Sequence, residues 1–74
     1  MKLHQLLDRC FDEVFVHIVK WNKSYHEHEE VDFGMVYDIR NRINCSEWFG
    51  LNVYRISLET SSDNKNSVIL IETY

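Results

Sequence analysis

The 74-residue sequence contains no proline and only two glycines, which excludes a collagenous chain and a Pro/Gly-rich linker. It also lacks any apolar run near the ~20 residues that a membrane helix requires. No charged segment followed by an apolar stretch opens the chain, so it reads as a soluble protein of the cytoplasm. Basic charge is scarce: eight Lys and Arg face twelve Asp and Glu, for a formal charge of −4. Without a clustered basic face, direct contact with DNA or RNA is not expected. Cysteine is limited to Cys10 and Cys45. In a reducing compartment both read as free thiols. Asn22-Lys23-Ser24 and Asn44-Cys45-Ser46 match the glycosylation pattern, but without a secretory signal they read as coincidence.

What the chain does have is a globular composition, 45% hydrophobic and 27% charged, with ten aromatic residues. So short a chain is one domain, residues 1–74, with a thin core to which the aromatic rings contribute large buried areas.

Leu3, Leu6, Leu7 and Cys10 recur at helical spacing, with Lys2, Gln5, Asp8 and Arg9 between them, and so predict a short amphipathic helix. Its stripe must be covered by something else in the fold, because a helix this short is marginal in water. Glu13 to Trp21 is rich in β-branched and aromatic residues and reads as a strand, with Val14, Val16 and Ile18 on one face and Phe15, His17, Val19 and Trp21 on the other. Asn22-Lys23-Ser24 reads as a turn. Val31 to Tyr37 then alternates as a second strand, antiparallel to the first, in which Gly34 marks a bulge or a close approach. Asp38 is placed to cap a helical turn through Ile43. Leu51 to Glu59 alternates cleanly, with Tyr54, Ile56 and Leu58 together on one face. A polar turn over Thr60–Asn66 leads to the apolar run Ser67–Tyr74.

The order α-β-β-short helix-β-β predicts an α+β fold, a four-stranded, mainly antiparallel sheet with the N-terminal helix packed on one face. The expected core is Leu3, Leu6, Leu7, Val16, Ile18, Ile56, Leu58, Ile69 and Ile71. Phe15, Val19 and Trp21, with the two-sided strand Val68 to Ile71, exceed what one helix covers, and this points to a possible homodimer.

Several constellations bear on chemistry. His26 and His28, two apart on an expected strand, would project to one side as metal ligands, but no third or fourth ligand stands at a usual spacing. The reading is therefore no metal and no cofactor. The carboxylates of Asp8, Asp12 and Glu13, and those of the hairpin, read as solvated. Cys10 completes the leucine stripe, Cys45 sits beside turn formers, and neither lies in a nucleophile motif, so no catalytic residue is assigned and the chain is not expected to be an enzyme. The dense segment Tyr25, Glu27, Glu29, Glu30 and Asp32, together with Trp48 as an aromatic anchor, is the candidate partner-binding surface. Mimicry of nucleic-acid phosphates is disfavoured because Lys20 and Lys23 dilute the negative field.

The N-terminal Met-Lys-Leu-x-x-Leu-Leu helix, Gly34-Met35-Val36-Tyr37-Asp38-Ile39, Val53-Tyr54-Arg55-Ile56 and the apolar closing strand together resemble small accessory proteins of phages and prophages of low-GC bacteria. Two features depart from that pattern: the hairpin carrying Tyr25 to Glu30 is longer, and Arg40 stands where proline follows Asp38-Ile39. The resemblance transfers no catalytic residue. It implies a setting of phage–host conflict, in which tiny acidic proteins bind and disable defence complexes, CRISPR effectors among them. The expectation is a non-catalytic inhibitor that binds a host protein, in the host's cytoplasm, and blocks its nucleic-acid site. The alternative is a structural or housekeeping interaction protein of the phage life cycle.

Overall fold

The computed structural model describes residues 1–43, 47–59 and 67–74. Cys45 and the polar turn expected over Thr60–Asn66 lie outside them. The described residues form α1 (Leu3–Asp8), β1 (Phe15–Asn22), β2 (Glu27–Met35), α2 (Val36–Ile43), a 3-10 turn (Glu47–Gly50), β3 (Val53–Glu59) and β4 (Val68–Thr73). The fold is α+β, as the sequence predicts: a short N-terminal helix, a four-stranded mixed sheet and a second short helix.

The strands lie in the order β2-β1-β4-β3. β1 pairs antiparallel with β2, and β3 antiparallel with β4, while β1 and β4 run parallel at the centre. Central position explains why β1 and β4 are the most apolar strands, since each is flanked by neighbours on both sides. Both helices pack on the face that carries Val16, Ile18 and Ile71, where Leu3, Leu7, Val36 and Ile39 close the core with Leu51. The helix periodicity of α1 thus finds its apolar partner face, and Leu3 and Leu7 are fully buried. The backbone N–H of Lys2 donates to Oε1 of Gln5 at 2.9 Å, which satisfies an otherwise orphaned donor at the start of α1.

Ile56 and Leu58, expected in the core, are instead 51% and 73% exposed. They do face the helix side, opposite Ile71 and Ile69 in register. However, β3 is the edge strand on the far side of the sheet from β2, and Ile56 and Leu58 lie beyond the cover of the helices. β2 begins at Glu27, not Val31, because the end of β1 needs ladder partners: Lys20, Trp21 and Asn22 pair with Glu29, His28 and Glu27. Pairing overrides the poor strand propensity of the acidic residues. The extra residue of the β1–β2 ladder is Val31, since Ile18 opposes Asp32 and Val19 opposes Glu30. Gly34 is therefore not the bulge. It adopts φ +151°, and a side chain there would meet Nη2 of Arg42 at 3.4 Å, so the close approach is real.

α2 starts at Val36, two residues before the expected Asp38 cap. Its first amides are satisfied by the chain ahead of β1: Val36 N–H donates to the Val14 carbonyl at 2.9 Å and Tyr37 N–H to that of Asp12 at 3.1 Å. Asp38 occupies the first turn, where its charge favours the positive end of the helix dipole.

Candidate functional site

The face of the sheet opposite the helices is where polar and aromatic side chains converge. Alternation along β1 sends Phe15, His17, Val19 and Trp21 to this open face. Their partners in register bring Phe33 beside His17, Glu30 beside Val19, and His28 beside Trp21 from β2. β4 contributes Leu70 and Glu72, and β3 contributes Arg55 opposite Glu72. A second irregularity then supplies Tyr54. Val53 opposes Thr73 while Arg55 opposes Glu72, which leaves Tyr54 as the extra residue. A bulge re-aims the side chain it carries. Tyr54 therefore leaves the face of Ile56 and Leu58, where strict alternation puts it, and joins the open face.

There its hydroxyl lies 2.9 Å from Nε2 of His28. The two residues belong to the two edge strands, so this contact bridges the sheet above β1 and β4. Beneath it lies Glu72, a largely buried carboxylate in a central strand. Burial of an isolated charge is costly, and neighbouring groups offset it here. Oε2 of Glu72 is 3.3 Å from Nε of Arg55 and Oε1 is 3.6 Å from Nε2 of His28. Further along the face, Nε2 of His17 is 3.0 Å from Oε1 of Glu30, and the His17 ring meets Phe33 edge-on at 5.6 Å.

At the end of this face, Trp21, Lys23, His28, Tyr54 and Tyr74 line a cleft of about 440 Å³. Trp21 and His28 meet at 66° with centroids 5.2 Å apart, and Tyr54 and Tyr74 are tilted by 49° at 5.9 Å. The turn before β2 frames one side. The Ser24 N–H donates to Oδ1 of Asn22 at 2.9 Å, the Asx-turn geometry expected of Asn22-Lys23-Ser24. His26 lies in this turn with φ +51° and not on a strand, so it does not share a strand face with His28. Its ring flanks Trp21 at 6.4 Å. Among the described residues, no group of three or more His, Cys, Asp and Glu is placed to hold a metal ion.

The expected partner-binding residues do not form one patch. Tyr25, Glu27, Glu29 and Glu30 are exposed along the turn and β2. Strand alternation sends Glu29 to the helix side, where it accepts a hydrogen bond from Asn22 Nδ2, and Glu30 to the open side beside His17. Asp32 is clamped by Arg42 of α2 through two hydrogen bonds. Trp48 is half-buried against the core, a lid on it, with Nζ of Lys20 5.6 Å above its ring.

Sequence reasoning missed Glu72, Arg55 and Tyr54 as members of one cluster. A signal for Glu72 exists: it is the one carboxylate inside the apolar run of β4, and a charge in a central strand needs partners. The irregularity that delivers Tyr54 has no mark in the sequence. Cys10 packs against the core, where burial pushes its thiol pKa up while the positive charge of Arg40 pulls the other way. That environment favours the unreactive thiol over a nucleophilic thiolate.

Comparison with known protein families, with curated proteins and with solved structures finds no match for this chain. Among the described residues, no helix is long and apolar enough to cross a membrane.

Proposed function

We propose that this chain is a non-catalytic binding protein that engages a basic surface of a protein partner along the edge strand β2. The observation that carries this reading is the position of β2: it is an outer strand of the sheet, nine residues long, with Glu27, Glu29 and Glu30 exposed along it. Carboxylates that alternate between the two faces present negative charge to either side of the edge. Such a field steers association with a positive surface. Tyr25, exposed in the adjoining turn, supplies the aromatic contact that charge alone lacks. Trp48, half-buried against the core with Lys20 over its ring, stands apart from this edge.

In the phage–host setting that the sequence resemblance implies, the partner is a host defence nuclease, and occupation of its basic groove excludes nucleic acid sterically. No chemistry is required of the chain. The test compares wild type with a Glu27→Lys/Glu29→Lys/Glu30→Lys variant whose circular dichroism is unchanged. Captures from host lysate at low salt are expected to retain a basic protein on wild type and to lose it on the variant. Equal retention by both removes β2 from the interface.

A further inference from the structure

We infer that the aromatic cleft at the end of the open face binds a zwitterionic ligand in which a quaternary ammonium is joined to a phosphate, as in a phosphocholine group. This inference goes beyond the β2 edge reading and concerns a different surface. The walls are rings from three separate parts of the chain, Trp21 of β1, Tyr54 of β3 and Tyr74 after β4, with the His28 imidazole between Trp21 and Tyr54. The volume, about 440 Å³, suits a small molecule.

Ring orientation decides what kind of molecule. A flat ligand is held between parallel rings, whereas the pairs here meet at 66° and 49°. Rings set at steep angles form a corner, and a rounded methylated ammonium fills a corner while facing several π surfaces at once. Such a cation keeps its charge without needing hydrogen-bond partners, which matches a lining dominated by ring carbons. The Tyr54 hydroxyl, the natural polar group of the corner, is already engaged by His28.

Lys23 requires the second half of the ligand. It lines the same cleft from the turn after β1 and is exposed, so its positive charge stands beside the rings. A simple cation would be repelled by it, and a simple anion would gain nothing from the rings. A ligand carrying both charges satisfies both, the ammonium against Trp21, Tyr54 and Tyr74 and the phosphate on Lys23.

The test is a titration of the whole chain, without any partner, followed by the indole N–H resonance of Trp21. Phosphocholine is expected to shift it saturably, with affinity about tenfold above that of choline or inorganic phosphate, the worth of one charge-assisted contact. Lys23→Ala should reduce phosphocholine to the level of choline. Tyr74→Ala should weaken phosphocholine and choline alike by about tenfold, and its exposed position leaves the fold intact. Sedimentation with phosphatidylcholine vesicles separates the two sources: co-sedimentation assigns the ligand to a lipid head group, and binding of soluble phosphocholine alone assigns it to a free metabolite. Absence of any saturable shift with phosphocholine overturns the inference, as does an unchanged affinity in Lys23→Ala. Because no partner protein enters the measurement, its failure leaves the β2 edge reading untouched, and the lysate capture can fail without affecting the cleft.

Discussion

Asp32 and Arg42 face each other as a fork, Nε to Oδ2 at 3.0 Å and Nη2 to Oδ1 at 2.9 Å, and the guanidinium lies 3.4 Å from where a β-carbon on Gly34 would stand. The hydrogen bond to Asp32 holds the Arg42 guanidinium above its ordinary pKa. The pair ties α2 to β2 and takes Asp32 out of the set of carboxylates free to meet a partner.

Gly34→Ala is expected to destabilise the chain by about 1–3 kcal/mol, because φ +151° is a conformation that alanine adopts only under strain. Urea denaturation measures it. Combining the change with Arg42→Ala should recover little, since the backbone and not the neighbouring side chain is the main obstacle. Full recovery in the double variant would place the cost in the contact instead.

Leu58→Ser should alter stability by no more than about 0.5 kcal/mol, whereas Ile71→Ala should cost about 2–5 kcal/mol. The two residues face the same side of the sheet, but Leu58 is 73% exposed and Ile71 fully buried. Thermal melts of the two variants compare them directly, and similar losses would mean that the edge strand is covered in solution.

The Thr73 hydroxyl donates to the Val19 carbonyl at 2.8 Å in a buried position between the two central strands. Thr73→Val keeps the shape and removes the donor, at an expected cost of about 1–3 kcal/mol. Thr73→Ser restores the donor and should recover part of the loss. Equal stability of the valine and serine variants would assign the residue a packing role only.

Cys10 should react with iodoacetamide several-fold more slowly in the folded chain than in urea, followed as modification of its own peptide by mass spectrometry. Burial raises the thiol pKa, with the opposing pull of Arg40 smaller. The fold therefore favours the protonated thiol. Its contribution to stability is fully present below the ordinary thiol value of about 8.5 and is lost as pH rises through the raised folded value. A Cys10→Ser variant should lack that alkaline decline, and an unchanged decline would assign it to another group.

The helix stripe and both hairpins were legible because their signals are local. Leu3 and Leu7 announce α1 by spacing, and the alternation of β1 sorts Val16 and Ile18 from His17 and Trp21. What escaped depends on neighbours far along the chain. Ile56 and Leu58 carry a core pattern, but whether a strand is central or at an edge follows from the parallel pairing of β1 with β4, which no short window encodes. The extension of β2 into Glu27–Glu30 is imposed by the ladder demand of β1 against local propensity. The open-face site was legible only in fragments, His28 in a polar hairpin and Trp21 in need of cover. It is assembled by the displacement of Tyr54 where the β3–β4 register shifts.

The parallel pairing at the centre also dictates the order of events in folding. Val19 and Thr73 are 54 positions apart in the sequence, and every rung of the ladder between the two inner strands spans a similar distance. The β1–β2 and β3–β4 hairpins have local contacts to guide them, but an isolated two-stranded hairpin is marginal in water. The sheet gains its stability only when the hairpins dock side by side, a step that closes a long loop and is expected to set the pace. During synthesis, the first half of the chain must wait with β1 unpaired along one side until residues 68–73 leave the ribosome. In that interval the Val16/Ile18 edge is the segment most in need of protection from other chains.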